Sequence, residues 1–400
     1  MRQQAISARP RIRAVVLSPA LGEALRVFGL SRLLIWASAV LAVYLLPLQR
    51  FQERAHDVPP LSGALGRALG SLASWDSVWY LSIAQSGYGG RPTLSAFFPL
   101  YPVAVRAATF NTLSSGALLL AAYAVSAAAL VVALVLLHRL VELELGARFA
   151  RPVLWLVALW PASFFFSAPY SESLFLALSV GVFYAARTGR VPLAAGLCAL
   201  ATATRPTGML LLLPLAWMAW RAGRLRWLRW LAVAPLGAAA FSGGLALAGM
   251  RPLGWFHVER TWGHVFKGPV LGSWDAAVVA WRGVDQLLGS AAVDRVVAAE
   301  NVIYFVLLVL AVVAVVGMFR RLPPAYGIYA AASLVAAVSA PVDWQPLMSF
   351  GRLLAVVFPI PMYVALLLDG RRLASGAAMA ASAALLVCAT GLFATWQLVT

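Results

Sequence analysis

Apolar stretches long enough to cross a bilayer recur from residue 33 to the C-terminus, separated by short arginine-bearing links. That pattern leaves few folds open. In hydrocarbon every backbone N–H and C=O must be paired within the protein, so the chain is either a helical bundle or a closed barrel. The period-two alternation of a barrel is absent. An all-α polytopic membrane protein remains. Charged residues are only 11% of the 400, against about a quarter in soluble domains, and no stretch is left over for a soluble domain. The expected organisation is a basic cytoplasmic arm over 1–32 and one multi-span domain over 33–400, with external loops at 49–116 and 251–299.

The apolar runs predict eleven spans, at 33–48, 117–137, 152–168, 171–186, 191–204, 207–220, 230–249, 301–319, 325–341, 350–368 and 373–396. The first is read as an uncleaved span, because no small-residue cleavage site follows it. Orientation follows from the arginines. Arg139, Arg148 and Arg151, then Arg187 and Arg190, then Arg221, Arg224, Arg226 and Arg229, then Arg320 and Arg321, then Arg371 and Arg372 occupy alternate links. Arg2, Arg9, Arg11, Arg13, Arg26 and Arg32 precede the first span, on the same side. The positive-inside rule makes that side cytoplasmic. The net charge of +17 is therefore a topology signal, and no nucleic-acid partner is expected. Cys198 and Cys388 fall within spans and suggest neither a disulfide nor a metal site.

The polar residues collect on the opposite side. WDSVWYLSIAQSGY at 75–88 is a polar and aromatic island, followed by FFPLYP at 97–102. Ser74 can serve as N-cap, placing Asp76 in the first turn of a short helix that ends at the glycines from 87 onward. Asp76 and Tyr80 then share one face, and Trp75 and Trp79 another. Asp76 is the candidate general base; the plainer alternative is an acid favoured by the helix dipole. Arg205 and Arg352 are the basic residues of the short external turns, suited either to a lipid phosphate or to snorkelling anchorage. Glu172, in PYSES, is a partnered functional acid or a first-turn helix acid.

In the loop 251–299, Trp255, Trp262, Trp274 and Trp281 suggest interfacial helices, with His257 and Trp262 the residues placed to face a substrate. Tyr88, Phe98 and Tyr101 either shape a pocket or pack the loop. His56 and Asp57 are two metal-type ligands without a third, so no metal site is assigned.

WDSVWYLSIAQSGY, AFFPLYP, PYSESLF and ATRPTG, in that order, resemble the PIG-V family of mannosyltransferases, whose best-known members add the second mannose of the glycosylphosphatidylinositol anchor. The likeness runs from about residue 70 to 365, with WFHVERTWG and the Arg352 region departing from the family's motifs. It implies a GT-C glycosyltransferase architecture with its site on the non-cytoplasmic face. It also implies a polyprenyl-phosphate-mannose donor, inverting transfer, and a lipid-linked or glycolipid acceptor. Asp76 would be the catalytic acid of the first external loop, with Trp75, Tyr80, Tyr88, Tyr101, Glu172, Arg205, His257, Trp262 and Arg352 as substrate-binding candidates. That chemistry requires no cofactor or metal. The arginine- and alanine-rich composition suggests a bacterial plasma membrane. A transporter or flippase of polyprenyl-linked lipids is the competing reading; it predicts mid-membrane charges and internal repeats, and neither is visible.

Overall fold

A computed structural model describes residues 19–48, 62–110, 112–289 and 295–397. His56, Asp57 and the arginines before residue 19 lie outside the described residues. The chain is an all-α polytopic membrane protein. Five helical stretches are long and apolar enough to cross a bilayer: Pro19–Leu45, Ser115–Leu145, Trp227–Leu247, Arg295–Arg321 and Arg372–Ala394. They overlap five of the eleven expected spans, the first starting well before residue 33. Helix Arg295–Arg321 shows why a membrane is needed. It leaves Ile303, Val306, Val309, Leu310, Val313 and Val316 exposed, a stripe that hydrocarbon can cover and water cannot.

The other expected spans are short or broken, with local causes. The run 152–168 does not continue as one helix. It stops at Ala158 and resumes as a 3-10 turn over Ser163–Phe166, because Pro161 disfavours helical geometry at the residue before it. The run 350–368 splits into Phe350–Ala355 and Pro359–Leu368, where Pro359 opens the second piece. The run 207–220 begins as a 3-10 turn, Pro206–Leu211, before helix Leu212–Arg221. The broken helices let irregular backbone reach the membrane depth where it lines a cavity or is buried in protein.

The first domain boundary also moves. The first helix starts at Pro19, so residues 19–32 are part of the bundle rather than an arm. Arg32 is buried. Its guanidinium donates to the Ala158 and Ser163 carbonyls at 2.9 and 2.8 Å and to Ser167 Oγ at 3.1 Å. It thus satisfies carbonyls left open where helix Ala147–Ala158 ends.

The alternate arginine links meet at one end of the bundle. Arg148 pairs with Asp369 at 3.1 Å, Arg151 with Glu23 at 3.1 Å, and Arg187 with Glu144. At the other end the loop after Trp262 is strapped to the segment following helix Pro324–Val338. Lys267 N and Gly268 N both donate to Ser339 O, and Val265 N donates to Pro341 O. Gly272 makes the close approach possible: a Cβ there would sit 1.8 Å from Val338 O. Gly272→Ala is therefore expected to cost about 1–3 kcal/mol or more by overpacking. Thermal unfolding in detergent checks this, and an unchanged midpoint would contradict the packing described.

Candidate active site

The short helix that carries the polar island runs Ser77–Ser86, so Asp76 precedes it rather than lying in its first turn. Ser74 is not a side-chain cap: its Oγ is buried without a hydrogen bond. The cause is Trp75, whose backbone is left-handed at φ 59°, a conformation costly for a bulky residue. The kink turns Asp76 back toward helix Glu172–Arg187. There the Asp76 N–H donates to the Tyr170 hydroxyl at 2.9 Å, and that hydroxyl donates to Ser74 O at 3.0 Å.

Asp76 and Tyr80 line one cavity of about 400 Å3 together with Phe97, Phe98, Thr204, Arg205, Glu259, Trp262, His264, Ser349 and Arg352. These residues come from five separated segments, all at the end opposite the arginine links. Two arginines and two acids form its charged wall. Arg352 Nη1 donates to Asp76 Oδ2 at 2.5 Å, and its Nε donates to Glu172 Oε1. Arg205 Nη1 donates to the same Glu172 oxygen at 2.5 Å. Glu172 is completely buried, whereas Asp76 keeps 32% of its side chain open to solvent. The Arg352 guanidinium is also held over the Tyr170 ring at 4.7 Å and the Phe165 ring at 5.2 Å. The wall pairs two arginines with two acids, and only the outer groups reach the cavity.

Glu172 is thus placed behind the two arginines and does not line the cavity. It is buried and pairs with both guanidiniums. Tyr80 faces the cavity and bonds Ser171 Oγ at 2.9 Å. Burial pushes its phenol up to about 12, so it is a neutral hydrogen-bonding group.

Other sequence candidates fall elsewhere. Tyr101 is buried and bonds Ser126 Oγ at 2.9 Å. Tyr88 donates to Phe97 O at 2.7 Å and packs on Phe241. Both are packing residues. The Trp75 ring rests against Trp396 rather than in the cavity. His257 is exposed, and its Nδ1 is 3.0 Å from Leu253 O. Trp262 does line the cavity, because it lies on the 3-10 turn Val258–Trp262. Residues three apart eclipse in such a turn, which places Glu259 with Trp262 and leaves His257 outside.

Glu259 and His264, which no motif in the sequence marks, form the cavity's second polar wall. His264 Nδ1 lies 2.7 Å from Ala340 O, so it carries the proton and leaves Nε2 facing Glu259 at 3.9 Å. Partial burial in the cavity raises the Glu259 carboxyl above its ordinary range, against the pull of His264 and with the charge of Asp76 adding to it, while 49% of the side chain stays exposed. An acid raised on folding favours the native state below its ordinary range and loses that contribution as pH rises through its folded value. Because solvent screens a half-exposed group, Glu259→Gln is expected to hold or slightly raise the thermal midpoint at neutral pH, with any gain shrinking in acid. A variant less stable than wild type at neutral pH would contradict this.

The comparisons with known proteins address the half of the site nearer the N-terminus. The model of the mannosyltransferase (PIG-V) family matches residues 49–219. The matched segment makes up less than half of the chain. It contains Asp76, Tyr80, Glu172 and Arg205, whereas Glu259, His264 and Arg352 lie beyond it. The GPI alpha-1,6-mannosyltransferase 2 of Cricetulus griseus is 37% identical over 153 residues. That alignment takes in 35% of this chain and 30% of the relative, so the match spans less than a third of the curated protein. No solved structure matches.

Proposed function

We propose that this protein is a membrane mannosyltransferase of GT-C architecture, transferring mannose from a polyprenyl-phosphate donor to a hydroxyl of a glycolipid or lipid-linked acceptor. The observation that carries this reading is the Asp76–Arg352–Glu172–Arg205 wall on a cavity partly built by the PIG-V segment. The acceptor oxygen attacks the anomeric carbon while Asp76 takes its proton. The new C–O bond forms as the bond to the donor phosphate breaks, and the electron pair leaves on the phosphate. Attack from the face opposite the leaving group inverts the anomeric centre.

Each guanidinium has five N–H donors. The contacts to Glu172 and Asp76 occupy one of Arg205's and two of Arg352's. Donors therefore remain on both arginines for the phosphate, where charge grows in the transition state. Gathering the arginine links at the far end supports a site on the non-cytoplasmic face. The proposed setting is a bacterial plasma membrane. The test is incubation of the purified protein with polyprenyl-phosphate-mannose and a membrane lipid extract. A mannosylated lipid detected by mass spectrometry supports the reading; unchanged donor and no new product count against it.

A further inference from the structure

The elements that form the candidate active site also enclose a second cavity at their other ends. It holds about 300 Å3 and is lined by Arg187, Arg221, Arg224, Trp217, Trp227 and Tyr326, among others. Three elements run from one cavity to the other. Helix Glu172–Arg187 starts behind the Arg205–Arg352 wall and ends at the second cavity. The segment beginning at Pro206 in the first cavity reaches the second at Trp217 and Arg221. Helix Pro324–Val338 contributes Ala336 and Ala337 to the first and Pro324, Ala325 and Tyr326 to the second. Sixteen helical residues rise roughly 24 Å, most of the ~30 Å hydrocarbon core. The two cavities therefore open toward opposite leaflets.

The charges of this cavity are unequal. Arg187 is neutralised by two hydrogen bonds to Glu144. Among the described residues neither Arg221 nor Arg224 pairs with a carboxylate; Arg224 instead lies over the Trp227 ring at 4.6 Å. Pro323 and Pro324 line the cavity without offering backbone donors, which leaves the guanidinium groups as its charged donors for an anion. The remaining walls, Trp217, Met218, Trp227 and Tyr326, are largely apolar. Unpaired guanidiniums at the mouth of an apolar-walled recess match an amphiphile with an anionic head. Tryptophan at this level also suits the bilayer interface.

We propose that this cavity binds the phosphate head of an anionic membrane phospholipid in the leaflet opposite the candidate active site. Arg221 and Arg224 grip the phosphate, and Trp217 and Trp227 pack the glycerol and first acyl carbons. The proposal does not depend on the transferase reading. An arginine that merely snorkels would respond to surface charge in general, whereas a built site is expected to respond to removal of Arg221 and Arg224 in particular.

The experiment uses the full-length protein in phosphatidylcholine nanodiscs, titrated with phosphatidylglycerol. Retained lipid is counted by native mass spectrometry, and the thermal midpoint is measured alongside. Wild type is expected to retain phosphatidylglycerol in preference to phosphatidylcholine and to unfold at a higher midpoint when it is present. Arg221→Gln with Arg224→Gln should lose at least tenfold of that retention. Arg371→Gln with Arg372→Gln, which removes equal charge from another link at the same end, should keep it. Arg221→Lys with Arg224→Lys guards against a folding defect by restoring the charge, and should retain part of the preference. Retention unchanged in the first pair, or reduced equally in the second, overturns the site. Inorganic phosphate that displaces the lipid and raises the midpoint alone would assign the cavity to a soluble anion and overturn the lipid assignment.

Discussion

Asp76→Asn is expected to lower mannosyl transfer by about 10²–10⁴-fold, the range over which a positioned general base contributes. The amide keeps the shape of the side chain but cannot accept the proton of the acceptor hydroxyl. Oδ2 of Asp76 is occupied by Arg352, so the proton goes to the other oxygen on the open side of the cavity. The substitution leaves Glu172 in place as the counter-charge for both arginines, so folding and product-lipid binding should survive. Single-turnover transfer and binding of polyprenyl phosphate, measured on the same preparations, separate the two effects. Transfer at the wild-type rate would remove Asp76 from the chemistry and turn attention to Glu259 as the cavity's other acid.

Glu172→Gln should act on the fold first. It leaves two largely buried guanidiniums, 12–13% exposed, without their shared carboxylate. Removing one partner of a buried ion pair costs about 3–5 kcal/mol, because the remaining charge is stranded. The variant is expected to unfold at a markedly lower temperature and to lose transfer with it. Glu172→Asp keeps the charge on a shorter arm and should restore part of the stability but less of the activity. A Gln variant with a wild-type midpoint would show that Glu172 is not what holds the two arginines.

Much of this arrangement is legible in the sequence, for physical reasons. Apolar runs and alternating arginines reveal a bundle with one basic end, since both follow from local composition. The four-residue spacing of Asp76 and Tyr80 brings both to one cavity. Arg205 and Arg352 stand out because they break the charge pattern. What the sequence hides is pairing at a distance: nothing near Glu172 announces a partner 180 residues later. The start of the short helix is also hidden, because a left-handed Trp75 overrides the capping signal of Ser74. Glu259 escapes notice because its loop reads as interfacial tryptophan anchors. The three-residue repeat of a 3-10 turn pairs it with Trp262, and only that local geometry separates it from His257.

The lateness of Arg352 has a consequence for how the molecule is made. Chains emerge at about 5–20 residues per second, so roughly 10–40 s separate the synthesis of Glu172 from that of its second guanidinium, 180 residues on. Until Arg352 is made, Arg205 is the one guanidinium of the wall available to Glu172, and Asp76 lacks its own. The N-terminal helices must therefore wait in the membrane with the site open. The arrival of the segment Phe350–Ala355 then locks base, positioning acid and both cations in a single event.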